Sequence, residues 1–135
     1  MSSRGLRNCN PGNIRRSVSR FQGEVAQSTD PEFKQFESIE WGYRAMFVII
    51  HNYNELYAIN TLDKIVARWA PPHENDTNGY VRSVAKRLGC MTTSHINSLD
   101  RDTMCQLVAS MSWIENGIKA EVPEVEAGWE LFAGS

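Results

Sequence analysis

The sequence predicts an α+β domain that is mostly α, with about five helices and one small β-hairpin. Two observations carry this. From residue 38 onward, apolar residues recur at helical spacing between start and stop signals. Residues 21–26 and 32–37 instead alternate in part around the turn chemistry of Ser28, Thr29, Asp30 and Pro31. A length of 135 residues suits a single domain over 1–135, and 41% hydrophobic residues with 10% aromatics can build a core, which excludes a disordered regulator.

Within that domain, residues 1–20 read as an arginine-rich structured loop, because Asn8, Asn10, Pro11, Gly12 and Asn13 crowd turn formers together. The hairpin occupies 21–37 and the helical part 38–135. Ser38 suits an N-cap with Glu40 in the first turn, and Ala45, Ile49, Tyr53 and Leu56 recur at helical spacing. A second helix begins near Asn60 or Thr61, places Leu62, Ile65, Val66 and Trp69 on one side, and stops at Pro71 and Pro72. A third spans Thr77–Leu88 and ends on Gly89. A fourth starts after Ser98 and ends at Gly117. The last, over 123–132, groups Val125, Trp129 and Phe132, with Pro123 in its first turn.

Charge is nearly balanced, 14 Lys+Arg against 16 Asp+Glu, with a pI of 5.9, which disfavours a globally basic nucleic-acid binder. The longest apolar run, 45–50, is far too short to span a bilayer, and the charged, Gly/Pro-broken start has no apolar segment of the secretory-signal kind. Cys9, Cys90 and Cys105 lack CxxC spacing and suit reduced thiols rather than a disulfide framework. His51, His73 and His95 are scattered, so no metal site is expected. Arg4, Arg7, Arg15, Arg16 and Arg20 concentrate at one end of the chain and Glu115, Glu121, Glu124, Glu126 and Glu130 at the other. Two readings fit: solvated surfaces that attract each other, or a cationic edge suited to an anionic polymer.

Glu115 is the most informative residue. At about 100° per residue, Met104, Val108 and Met111 form an apolar stripe flanked by Leu107 and Ile114, and Glu115 falls in its middle. A carboxylate there loses hydration, and the negative end of the helix opposes a further anion. Both effects raise its pKa, as a general acid for glycosidic cleavage requires. The same position also suits a residue just beyond the packed region, or one paired with an amino-terminal arginine. Glu74 and Asp76 lie in a Pro-pinned loop, where Asn75, Asp76 and Thr77 are also ordinary capping residues. Glu24 and Asp30 fall on the hairpin. Phe21, Trp41, Trp69 and Tyr80 are aromatic residues suited to stacking on sugar rings.

RGLRNCNPGNIRR, FKQF, GYRAMFVIIHNY and RWAPPHENDTNGYVRSVAKRLG resemble a family of short phage and prophage proteins labelled virion structural proteins. That family is similar to the lytic, lysozyme-like murein-degrading protein of enveloped double-stranded RNA phages. The resemblance spans residues 4 to about 89 and continues more weakly through LVASMSWIENGI. A more distant similarity is to glucosaminidases and lytic transglycosylases of the lysozyme superfamily, whose catalytic Glu ends a helix in an E-x-G context before an Asn-rich loop and a hairpin. Here Glu115 and Gly117 come last instead of first. The resemblance therefore implies a circularly permuted lysozyme-like fold.

On this resemblance, Glu115 is the general acid, Tyr80 helps position it or stabilise charge, and Glu24 or Glu74 is the second carboxylate. Lytic transglycosylases dispense with that second group. Asn10, Asn13, Arg15, Trp69, Asn75 and Thr77 are the implied substrate contacts, and Arg7 and Arg16 join Arg15 as flanking cations. Bacterial peptidoglycan and other virion proteins are the expected partners, with no nucleic acid, membrane, cofactor or metal. The implied setting is the cytoplasm of an infected or lysogenic bacterium, as for an endolysin, or the virion. The alternative is a non-enzymatic virion or assembly protein on the same scaffold.

Overall fold

The structure is a computed structural model that describes residues 2–135. Its elements are α1 (Arg4–Arg7), α2 (Ile39–Tyr57), α3 (Leu62–Trp69), α4 (Thr77–Leu88), α5 (Arg101–Asn116) and α6 (Val122–Ala133). Helices α2 to α6 follow the start and stop signals of the sequence. Gly89 and Gly117 end α4 and α5 in the left-handed conformation, at φ 68° and 71°. Asp76 caps α4 by accepting from the Gly79 amide at 3.1 Å. The short α1 replaces loop at the start of the chain, because the Ser3 hydroxyl accepts from the Leu6 amide at 3.2 Å and closes a first turn.

Helix α2 lies at the centre. Its fully buried face is Tyr43, Ala45, Met46, Phe47 and Ile50, rotated from the expected stripe: of that stripe Ala45 is buried, Ile49 and Tyr53 are half-buried, and Leu56 is exposed. Helix α6 packs along α2, where Phe47 meets Trp129 edge-on at 5.2 Å between ring centroids. Helix α4 packs between α3 and α5 and buries Val81 and Val84 with Leu62, Ile65, Leu107 and Met111 in the same core.

The hairpin and the α+β class are corrected. Among the described residues there is no sheet, only isolated antiparallel bridges at Arg15–Phe33, Glu24–Phe36 and Thr61–His95. The chain is therefore all-helical rather than the α+β lysozyme-like domain that the resemblance implies. Local chemistry explains the miss. Residues 21–24 turn on themselves, since the Glu24 amide donates to the Phe21 carbonyl at 3.1 Å and the Glu24 carboxylate accepts from the Phe21 amide at the same distance. The Phe36 amide donates to the Asn8 carbonyl at 2.9 Å, outside the expected pairing.

Polar anchors hold this region instead. Asp30 takes a bidentate pair from Arg4 at 2.6 and 2.7 Å and accepts from Asn8, which holds its carboxyl well below the usual carboxylate range. Lys34, 1% exposed, donates to both oxygens of Glu24 at 3.0 and 3.1 Å and to the Ser19 carbonyl at 2.7 Å.

Gly42 brings α2 against the loop that precedes it. A Cβ there would strike the Cys9 carbonyl oxygen and lie 2.6 Å from Pro11 Cδ. Helix propensity favours alanine by about 1 kcal/mol, but backbone cannot move aside, so overpacking decides the sign. Gly42→Ala is expected to destabilise the fold by about 1–3 kcal/mol, measured by urea unfolding.

Candidate active site

The amino-terminal loop reaches Glu115 through asparagines with separate tasks. Asn10 is fully buried: its amide nitrogen donates to the carbonyls of Ile14 and Lys34 at 2.9 Å each, and its oxygen accepts from the Ile14 amide at 2.9 Å. That fixes the turn that presents Asn13. Asn13 sits in the left-handed region at φ 51°, which asparagine tolerates, and donates to Glu115 Oε1 at 3.0 Å. Asn116 ties the loop to the end of α5, donating to the Pro11 carbonyl at 2.8 Å and accepting from the Ser3 hydroxyl at 2.7 Å. This junction needs Gly5, whose added Cβ would lie 2.5 Å from Asn116 Oδ1 and 2.7 Å from Asn13 Oδ1.

From the other side, the Tyr80 hydroxyl on α4 donates to Glu115 Oε2 at 3.1 Å. Tyr80 is buried, which pushes its hydroxyl far above the ordinary phenol range and keeps it a donor. Glu115 thus has one neutral donor on each oxygen and, among the described residues, no Lys, Arg or His within ion-pair distance. Burial raises its pKa above the ordinary value of 4.5, while the bonds from Asn13 and Tyr80 oppose the rise. Its place in the last turn of α5 disfavours the anion further. Neither pairing with an arginine nor simple exposure describes this group.

Two clefts meet at Glu115. The first, about 440 Å³, lies between the loop residues Asn13, Arg15 and Phe33, the helical residues Ile49, Tyr53, Arg68 and Trp69, and Glu74 and Asn75. The second, about 330 Å³, is lined by Asn75, Asp76, Gly79, Tyr80, Ser83 and Ile114. Glu115 and Asn75 line both.

The sequence-selected residues divide accordingly. Glu115, Tyr80, Asn13, Arg15, Trp69, Glu74 and Asn75 come together. The Trp69 indole is oriented by its bond to the Gly12 carbonyl at 3.2 Å, and Asn75 donates to the Pro71 carbonyl at 3.2 Å. Glu74 is exposed, with Arg15 at 3.9 Å. Glu24 lines neither cleft and is committed to Lys34 and Arg20. Asn10 and Thr77 are buried in the supporting walls, Thr77 donating to the Ala70 carbonyl at 2.6 Å. Arg7 and Arg16 line neither cleft and bond to the carbonyls of Ser2 and Asp30. The carboxyl-terminal acids Glu126 and Glu130 face Arg101, so the two charged ends of the chain do not neutralise each other directly.

The chain matches no protein-family model. It is 33% identical over 133 residues to Protein P5 of Pseudoalteromonas phage PM2, across 96% of this chain and 81% of that protein. The chain belongs to the Protein P5 family. Its phage character is therefore shown, at the level of a phage relative. Among the described residues no helix is long and apolar enough to cross a membrane, and no group of three or more His, Cys, Asp or Glu side chains could hold a metal ion.

In this Protein P5 relative, sequence reasoning missed Arg68, Tyr53, Phe33, Gly5 and Asn116. The RW pair preceding the prolines flags Arg68 only once Trp69 is known to line the cleft. Tyr80→Phe and Asn13→Gly each remove a bond that favours the ionised carboxylate, so each is expected to raise the Glu115 pKa further. Carboxyl-carbon NMR titration checks this, and the larger rise is expected for Asn13→Gly, because Asn13 opposes the burial effect more strongly than Tyr80 does.

Proposed function

We propose that this phage protein cleaves the glycan strand of bacterial peptidoglycan, with Glu115 as general acid. The observation that carries the proposal is a half-buried carboxyl group, held by Asn13 and Tyr80 without a counter-cation, at the meeting point of two clefts. A polymer that occupies both clefts brings an inter-sugar oxygen to Glu115. The raised pKa keeps a proton there for the leaving oxygen. The Tyr80 hydroxyl and the Asn13 amide hold both carboxyl oxygens in place and stabilise the anion once the proton has left.

Glu74 is the second carboxylate of this reading, because it lines the same cleft as Glu115. It acts as a base toward water or as a stabiliser of positive charge at the cleaved carbon. Trp69 offers a fixed aromatic face, and Asn75 and Arg15 offer polar contacts, while Asn10 and Thr77 support the walls. Phage membership supports the substrate class, since the genome of a phage enters and its progeny leave across the bacterial wall.

Purified protein and its Glu115→Gln variant incubated with peptidoglycan test the proposal by release of reducing ends or anhydro-muropeptides. Reducing ends mark hydrolysis, and anhydro ends mark attack by the substrate's own hydroxyl. Wild type that releases neither from varied peptidoglycans overturns the enzyme reading in favour of a non-enzymatic virion or assembly protein.

A further inference from the structure

The two clefts differ in charge. In the first, Arg15 is shared between Glu32 at 3.4 Å and Glu74 at 3.9 Å, so the acid of that cleft already faces a cation. Arg68 is different. It is exposed in the last turn of α3, and among the described residues no carboxylate lies within ion-pair distance of it. Its guanidinium carbon stands 5.9 Å from the Tyr53 ring centroid and 5.3 Å from that of Tyr57. These tyrosines are one turn apart on α2, so the pair of rings orients the fork without neutralising it. The second cleft has no Lys or Arg in its lining, and its side chains include the acid Asp76.

Peptidoglycan strands alternate an amino sugar that carries a lactyl-linked, carboxylate-bearing peptide with one that carries none. A site that is cationic on one side of Glu115 and acidic on the other distinguishes the two ways of laying that strand down. We infer that Arg68 is a specificity-determining residue that binds the carboxylate-bearing substituent in the first cleft and fixes the register of the strand at Glu115. This rests on the glycan-cleaving reading above. The guanidinium, oriented by Tyr53 and Tyr57, attracts the carboxylate by its positive charge, and the uncharged sugar falls in the second cleft beside Asp76. Only one of the two alternating linkages then reaches the acid.

Digestion of peptidoglycan by the full chain, with the new chain ends identified by mass spectrometry, tests this. Wild type is expected to expose new ends on one sugar type only. Arg68→Gln is expected to expose ends on both, with KM raised about tenfold and kcat little changed. Arg68→Lys, which keeps the charge, is expected to keep the single end type. Arg68→Gln with one end type and an unchanged KM overturns the inference while wild-type cleavage leaves the proposed function standing. Mixed ends from Arg68→Lys also overturn it, since charge then does not set the register. Wild type that releases no ends overturns the functional reading and this inference with it.

Discussion

Glu115→Gln is expected to lower the rate of glycan cleavage about a thousandfold while leaving the fold at least as stable as wild type. The substitution removes the transferable proton but keeps the size of the side chain. Its amide oxygen accepts from Asn13 while its amide nitrogen donates to the Tyr80 hydroxyl, which can accept as well as donate. The stability sign follows from the raised pKa of Glu115 in the folded chain. Between the ordinary value of 4.5 and the raised folded value, the folded state binds more protons than the unfolded state. Stability contributed by this group is therefore present at low pH, falls as pH rises through that window, and is lost above it. Glutamine has no such slope, so the advantage of the variant grows with pH from about 4.5 upward. Urea unfolding across a pH series, paired with the peptidoglycan assay, reads both effects. A Gln variant that unfolds, or that keeps full activity, removes Glu115 from the role of acid.

Glu24→Gln is expected to do the opposite: destabilise the fold by about 3–5 kcal/mol, the usual cost of breaking a buried ion pair. Glu24 and Lys34 have side chains 5% and 1% exposed. Without the carboxylate, the ammonium stays buried against the carbonyls of Ser17 and Ser19. Lys34→Met is expected to cost less, because Arg20 remains on Glu24 at 2.9 Å. A double replacement, Glu24→Leu with Lys34→Met, is expected to recover part of the loss, since no uncompensated buried charge is then left. Activity falls with stability in the single variants. The Lys34 amide donates to the Ile14 carbonyl at 3.0 Å and its carbonyl accepts from Asn10, so the clamp supports the loop that presents Asn13. Chemical unfolding of the three variants separates these cases. The two carboxylates are thus told apart by the sign of one measurement.

Much of the helical frame was legible because its signals are local. Pro71 and Pro72 cannot continue α3, Gly89 and Gly117 take the left-handed turn that ends α4 and α5, and Pro123 opens α6. The hairpin was misread because partial alternation over 21–26 and 32–37 measures only one face of a segment. Two backbone bonds do join these segments, from the Val25 amide to the Gln35 carbonyl and from the Glu37 amide to the Gly23 carbonyl at 2.8 Å each. The amides of Lys34 and Phe36 go instead to the carbonyls of Ile14 and Asn8, so no ladder forms, and alternation says nothing about such partners.

By itself, the sequence determined the helices α2 to α6, most of their ends though not that of α2 at Tyr57, and the presence of one carboxylate on an apolar stripe, all of which depend on residues within a turn or two of each other. Only the tertiary structure decided what surrounds that carboxylate. Asn13 lies 102 positions from Glu115 and Tyr80 lies 35, and no periodicity links positions so far apart. It also decided which asparagines and acids face the clefts and which are spent on holding the walls. The reason is physical. A polar side chain is structural or available according to whether its hydrogen-bonding groups are already satisfied, and distant partners settle that.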